Sequence, residues 1–127
     1  MVSRGSPDLA ALIDKGDFNQ SAINDEITEQ LDVILSRAPV KDLVLACTHF
    51  PIVEENFRRC FPELHLIDPA EQQAIAVKNM LVYRTLTNPQ NRGKLHIETS
   101  GEPEVYSAIA KMLHLYGPED CKVISLA

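Results

Sequence analysis

Long apolar runs are missing from this sequence. No stretch approaches the roughly 18 consecutive apolar residues that a membrane-spanning helix needs. Residues 1–6 also lack the apolar core of a signal peptide. We therefore expect a cytoplasmic protein with no membrane partner.

An excess of positive charge is missing as well. The sequence has 12 Lys and Arg residues and 18 Asp and Glu residues, which gives a formal net charge of −6. Arg58 and Arg59 form the sole adjacent basic pair, and acidic residues precede it. Without a basic stripe to follow a phosphate backbone, a nucleic-acid partner is not expected.

The spacings typical of disulfide frameworks and metal sites are absent. The cysteines are Cys47, Cys60 and Cys121, and the histidines are His49, His65, His96 and His114. An odd number of cysteines without a Cys-x-x-Cys pair argues against a disulfide framework and a zinc site. No two histidines stand at the i, i+4 spacing of a helical metal site. We expect reduced thiols and no metal.

Apolar periodicity predicts two opening helices, followed by alternating strands and helices. The predicted helices cover residues 7–15 and 21–37 and the segments that begin at Pro51, Pro69 and Pro103. The predicted strands cover residues 42–46, 64–67, 94–98 and 121–126. Ser21 is the expected N-cap of the long helix. A polar segment with Pro and Gly, residues 88–93, is the expected mobile loop.

Each longer helix has an apolar stripe that predicts its buried face. The expected core residues are Ile23, Ile27, Leu31, Ile34 and Leu35, then Ala74, Val77, Leu81 and Val82, and then Val105, Ile109, Met112 and Leu113. In the helix after Pro51, Ile52, Val53, Asn56 and Phe57 continue at helical spacing.

These elements predict an α/β fold, with a layered, mostly parallel sheet and flanking helices, as a single unit over residues 1–127. A parallel sheet is stable when both of its faces are covered. About four short strands make a small sheet for a domain that is stable by itself. We therefore expect the unit to be part of a larger assembly or to need a partner.

Residues 46–51 place three reactive side chains at the junction of a strand and a helix. Cys47, Thr48 and His49 follow the strand, and Pro51 suits the first turn of the helix. Ligands of α/β proteins bind at the carboxyl ends of strands. The amides of a helix start hold anions and favour the thiolate form of a cysteine.

A cysteine near a buried strand is most often a small core side chain. Cys60 and Cys121 fit that interpretation, since neither has an adjacent polar partner. Cys47 differs, because a hydroxyl and an imidazole follow it directly. We therefore expect Cys47 to be the reactive thiol.

Residues 45–51, Leu-Ala-Cys-Thr-His-Phe-Pro, resemble the second cysteine motif of the glutamate racemases, the cofactor-independent branch of the aspartate/glutamate racemase family. That motif reads Gly-Cys-Thr-His-Tyr-Pro, so Ala46 replaces Gly and Phe50 replaces Tyr. Residues 6–16 resemble the family's Cys-Pro segment that ends in Val-Glu-x-Gly. Residues 66–68 and 100–101 resemble later segments, so the resemblance spans nearly the whole chain.

The resemblance implies racemisation of glutamate by two thiols, without pyridoxal phosphate, any other cofactor or a metal. One thiolate removes the α-proton, and a thiol on the opposite face returns one. Cys47 resembles one acid/base thiol, His49 the imidazole that tunes it, and Thr48 a contact to the substrate carboxylate. Asp14 stands where the family has the acid that assists the histidine, and it is one methylene shorter. The implied product, D-glutamate, serves peptidoglycan synthesis and hence cell-wall biogenesis and cell shape.

The motifs of the family's first half, an Asp-Ser near the start and Cys-Asn-Thr, have no match here. The chain therefore resembles the second half of the two-domain racemase fold and one wall of its active site. We expect the isolated chain to be inactive. The missing N-terminal half in trans would restore turnover; a homodimer is a second route.

Two other functions remain open. The chain could be a non-catalytic binding or regulatory module for acidic amino acids. Alternatively, it could be a hydrolase with Cys47 as nucleophile and His49 as base. The hydrolase ranks last, because residues two apart at a helix start rarely reach the required geometry.

Overall fold

The computed structural model of the chain describes residues 1–88, 95–115 and 121–125. The chain divides into two compact units, Met1–Gln73 and Ala74–Ala127. Each contains one pair of parallel strands together with helices, so the expected α/β class with parallel strands is confirmed. None of the described helices is long and apolar enough to cross a membrane.

The first unit consists of helices and two short strands. Its elements are α1 (Pro7–Asp14), α2 (Gln20–Arg37), β1 (Asp42–Val44), a 3₁₀ turn (Phe50–Val53), α3 (Glu54–Cys60) and β2 (His65–Ile67). β1 and β2 are parallel, with Leu43 opposite Leu66. α4 (Pro69–Tyr83) follows β2.

A glycine reverses the chain after α1. Gly16 has a φ of 70°, a backbone conformation that glycine adopts without a steric cost. Its N–H donates to the carbonyl of Ile13, and the N–H of Asp17 donates to the carbonyl of Leu12, both at 2.9 Å. These two bonds form a Schellman motif, which satisfies the last carbonyls of α1. The connection to α2 is therefore tightly hydrogen-bonded.

Asn19 caps α2. Its side-chain oxygen accepts hydrogen bonds from the N–H groups of Ser21 (3.0 Å) and Ala22 (3.3 Å). The expectation that Ser21 is the N-cap is therefore wrong. Both residue types are good caps, but the reversal at Gly16 lets the helix begin at Gln20, one residue after Asn19.

The apolar stripe of α2 forms the centre of the core, as its spacing predicts. The buried core residues of this unit are Leu9, Ile13, Ile23, Ile27, Leu31, Ile34, Leu45, Val53, Phe57, Phe61, Leu64 and Leu66, and Leu35 packs against them partly buried. Burying one side chain of this size contributes about 1.5–3 kcal/mol. The core therefore joins α1, α2, the 3₁₀ turn and α3 into one body.

The second unit contains the rest of α4, β3 (Leu95–Thr99), α5 (Pro103–Met112) and β4 (Cys121–Ser125). β3 and β4 are parallel, with Leu95 opposite Cys121. α5 packs against both strands. Of the expected mobile loop at residues 88–93, all but Asn88 lies outside the described residues.

The predicted buried faces of α4 and α5 are wrong in part. No side chain of α4 is buried, and Val77 and Val82 are 44% and 59% exposed. In α5, Ala110 is the buried residue, whereas Met112 is exposed and Val105 and Ile109 are half-buried. An apolar stripe shows which face of a helix would be covered, but a layer must be present to bury it.

Candidate active site

The end of β1 places Cys47 at the start of a loop. The N–H of Leu45 continues the sheet by donating to the carbonyl of Ile67 (3.0 Å). The N–H of Ala46 then donates to the carbonyl of Val44 (3.0 Å), which turns the chain out of the sheet. Because Leu45 is buried, the loop that follows has a fixed origin in the core.

The 3₁₀ turn holds the other end of this loop. The N–H of Phe50 donates to the carbonyl of Cys47 (3.2 Å), and the N–H of Ile52 donates to that of His49 (3.0 Å). The ring of Phe50 packs against Phe57, with 6.2 Å between the ring centroids. The expectation that the first-turn amides hold an anion is therefore wrong for Phe50 and Ile52, because short i→i+3 bonding uses their N–H groups internally.

The hydrogen-bonded loop at residues 47–50 brings Cys47 and His49 into contact. Cys47 Sγ lies 3.5 Å from His49 Nδ1, a hydrogen-bonding distance for sulfur. Both side chains are half-buried. Residues two apart at a helix start rarely come this close, and here they do because the bond between Phe50 N–H and Cys47 C=O folds the loop back on itself.

The opposite nitrogen of the same imidazole faces a carboxylate from another helix. His49 Nε2 lies 3.7 Å from Asp14 Oδ1, at the end of α1. This distance is too long for a good hydrogen bond and short enough for an ion pair when His49 is protonated. The side chains of His49 and Asp14 are 34% and 59% exposed, so solvent screens the attraction to about 1 kcal/mol or less.

A thiol, an imidazole and a carboxylate thus lie in series. When Nε2 carries the proton on the side of Asp14, Nδ1 can accept the proton of the Cys47 thiol. Transfer of that proton gives a thiolate beside an imidazolium, and the carboxylate stabilises the positive charge. The series can therefore supply a sulfur base or, in the reverse direction, a sulfur acid.

The remaining predicted residues have simpler surroundings. Thr48 is exposed between Cys47 and His49. Cys60, at the end of α3, packs half-buried against the core, as expected of a structural cysteine. In residues 1–88, 95–115 and 121–125 no group of three or more His, Cys, Asp or Glu side chains could hold a metal ion.

Sequence reasoning assigned no role to Asn56. This residue is 5% exposed in α3 and donates hydrogen bonds to two side chains of α2. The available signal was an amide side chain in the apolar series of residues 52, 53, 56 and 57.

The sequence is similar to glutamate racemases. One from Thermoanaerobacter sp. (strain X514) is 33% identical over 114 residues, which cover 89% of this chain and 43% of that relative. The chain therefore spans less than half the length of the curated relatives it matches. No protein-family profile matches it.

Solved glutamate racemase structures agree with the fold. The structure from Thermus thermophilus, in complex with beta-chloro-D-alanine, matches with a TM-score of 0.68 and 28% identity over 95% of this chain and 46% of that one. The structure from Francisella tularensis, in complex with D-glutamate, has a TM-score of 0.70 at 20% identity over 93% of this chain and 44% of that one. At 20% identity, the match to the Francisella tularensis structure shows similarity of fold alone.

Proposed function

Because this chain is a homologue of the glutamate racemases, we propose that it supplies one wall of an active site that racemises glutamate without a cofactor. The observation that carries the proposal is the 3.5 Å contact between Cys47 Sγ and His49 Nδ1. It joins a sulfur acid/base to a group that can take up and return its proton.

In the proposed reaction, Cys47 exchanges the α-proton of glutamate from one face. In one direction its thiolate takes the proton, so the Cα–H bond breaks and an S–H bond forms. A second thiol protonates the carbanion on the opposite face. In the other direction Cys47 is the donor. No electrons are gained or lost, so no redox partner is required.

His49 and Asp14 adjust how readily Cys47 gives and takes that proton. An imidazolium 3.5 Å from the sulfur stabilises the thiolate by Coulomb attraction. Asp14, 3.7 Å from the other ring nitrogen, is within ion-pair distance of His49 when the ring is protonated. We assign His49 to catalysis and substrate binding and Asp14 to the support of His49.

Glutamate is the proposed substrate, and Thr48 is its proposed carboxylate contact. Thr48 is exposed next to Cys47, where its hydroxyl can donate to an incoming oxygen. The similar protein from Thermoanaerobacter sp. (strain X514), at 33% identity, is a glutamate racemase. By the same homology, we propose a cytoplasmic role in making D-glutamate for peptidoglycan.

The second thiol is proposed to lie outside this chain. Cys60 packs against the core, and relatives of this chain are more than twice its matched length. We therefore expect no turnover by the isolated chain and propose a complementing N-terminal half as its partner. A homodimer with two Cys47 thiols face to face is the less favoured arrangement, because the motifs of the family's two halves differ.

A hybrid enzyme tests this proposal. The part of the Thermoanaerobacter racemase that this chain does not match would be joined to this chain, and D-glutamate formation would be followed. We expect racemisation by the hybrid and its loss on Cys47→Ala. A folded hybrid that binds glutamate without racemising it would instead favour the binding-module alternative. An acyl-enzyme trapped on Cys47 with an activated ester would favour the hydrolase.

A further inference from the structure

A buried amide joins α3 to α2. Asn56 Nδ2 donates to Gln20 Oε1 at 2.9 Å and to Asn24 Oδ1 at 2.8 Å. Both acceptors lie in the first turns of α2, and Asn56 lies in α3. Arg59 Nη1 adds a third hydrogen bond, to Gln20 Oε1 at 3.2 Å. We call this set of four residues the amide clamp.

On one side of the amide clamp, α2 fixes the position of Asp14. Asp14 ends α1, and the hydrogen-bonded reversal at Gly16 leads from it to the start of α2. The other end of α1 is tied to α2 by Ser6 Oγ, which donates to Glu26 Oε1 at 2.7 Å. α1 and α2 are therefore linked at both ends, and Asp14 moves with the first turn of α2.

On the other side, α3 fixes the position of His49. His49 immediately precedes the 3₁₀ turn, and this turn runs directly into α3 at Glu54. The carbonyl of His49 accepts the N–H of Ile52, so a hydrogen bond ties His49 to the turn that leads into α3. A shift of α3 along α2 would carry His49 with it.

The hydrogen bonds of the amide clamp add directional contacts to the apolar packing between these helices. Leu9 and Ile13 of α1 share one core with Val53 of the 3₁₀ turn, but hydrophobic contact is non-directional. Hydrogen bonds depend steeply on distance and angle. The Asp14–His49 distance of 3.7 Å is already at the long end for an ion pair, so a small slip between the helices would break it.

We propose that Asn56 is a positioning residue, whose amide clamp to Gln20 and Asn24 holds Asp14 within ion-pair distance of His49. Asn56 acts at a distance, through the two helices, on the pairing of Asp14 with His49 and hence on the reactivity of Cys47. This inference rests on the proposed roles of Cys47, His49 and Asp14.

The test is the pH dependence of Cys47 alkylation by iodoacetamide in the full chain, measured by peptide mass spectrometry. Asn56→Leu keeps the side-chain size and removes both hydrogen bonds. We expect the alkylation midpoint to move in the same direction as in Asp14→Asn, because both changes weaken the pair between Asp14 and His49. The double variant Gln20→Ala/Asn24→Ala removes the acceptors from the α2 side and should act alike, even if Asn56→Leu fails to fold.

Ile27→Val is the matched control. Ile27 is buried in α2 one turn beyond Asn24, so this variant loosens the core without cutting the amide clamp, and its midpoint should stay at that of the parent. A parental midpoint in both clamp variants, with a shift in Asp14→Asn, would overturn the role of Asn56. A parental midpoint in Asp14→Asn and in His49→Asn would instead contradict the proposed acid/base series.

Discussion

His49 Nε2 lies 3.7 Å from Asp14 Oδ1, although the two residues come from different helical segments. The aspartate carboxylate stops just short of a hydrogen bond to the imidazole. The pairing is therefore electrostatic, and solvent reaches both partners. Its strength should respond to changes of a single methylene in the acidic side chain.

Lengthening this acid should strengthen the pair. In Asp14→Glu the added methylene lets the carboxylate reach hydrogen-bonding distance of Nε2, which favours the imidazolium and hence the Cys47 thiolate. We expect iodoacetamide to alkylate Cys47 about twofold faster at neutral pH, on the scale of a partly exposed ion pair. Asp8→Glu, at the other end of α1, should leave the rate unchanged. A slower rate in Asp14→Glu would mean that the longer side chain turns away from His49.

The three cysteines should differ in reactivity. Cys47 has an imidazole at 3.5 Å, whereas Cys60 packs against the core. Under limiting iodoacetamide, we expect mass spectrometry to find Cys47 labelled before Cys60 and Cys121. His49→Asn should slow the labelling of Cys47, because it removes the group proposed to take up the proton of the thiol. Equal labelling of all three cysteines would contradict the assigned site.

The cap of α2 can be tested with a matched pair. Asn19→Ala removes the oxygen that accepts two backbone N–H groups and should lower the free energy of unfolding by about 1 kcal/mol. Ser21→Ala, inside the helix, should change it by less than about 0.5 kcal/mol. Urea denaturation followed by circular dichroism would measure both. A larger loss of stability in Ser21→Ala than in Asn19→Ala would indicate that Ser21 is the N-cap.

The core around α2 should be far more sensitive than the apolar face of α4. Ile27→Ala removes a fully buried side chain and should cost about 2–5 kcal/mol. Ile75→Ala shortens a side chain that is exposed in α4 and should cost less than about 1 kcal/mol. The stability losses would be compared through the urea denaturation midpoints of the two variants. A similar loss in both variants would indicate that α4 is covered in solution.

Glutamate should stabilise a hybrid that carries the complete site. A ligand that binds only the folded state raises the melting temperature by mass action. At millimolar concentration we expect a larger shift with glutamate than with glutamine or lysine, because Thr48 is proposed to contact a carboxylate. Equal shifts with all three amino acids would remove the proposed substrate class.

Local periodicity predicted most of the secondary structure. The stripe of Ile23, Ile27, Leu31 and Ile34 predicted the buried face of α2, because an i, i+4 pattern depends on the helix alone. The cap was missed by two residues, since Asn19 and Ser21 are both suitable caps and the choice depends on the turn at Gly16. The exposed face of α4 was missed because a stripe does not reveal which layer covers it.

The candidate site was predictable as a set of residues but not as a geometry. The motif at residues 46–51 singled out Cys47 and His49, and the resemblance singled out Asp14. The 3.5 Å and 3.7 Å distances depend on the 3₁₀ turn and on the packing of α1 against it. Asn56 was assigned no role, because the partners of a buried amide are set by tertiary structure.

The central claim is that Cys47 moves the α-proton of glutamate together with a thiol from outside this chain. The most direct measurement is proton NMR of L-glutamate and, separately, of D-glutamate in deuterium oxide, which follows loss of the α-proton signal. We predict exchange of both enantiomers with the hybrid enzyme, exchange of no more than one enantiomer with the hybrid carrying Cys47→Ala, because a single remaining thiol serves one face, and no exchange with the isolated chain. Exchange of both enantiomers by the hybrid with Cys47→Ala at the parental rate would contradict the claim, as would racemisation by a purified monomer of this chain.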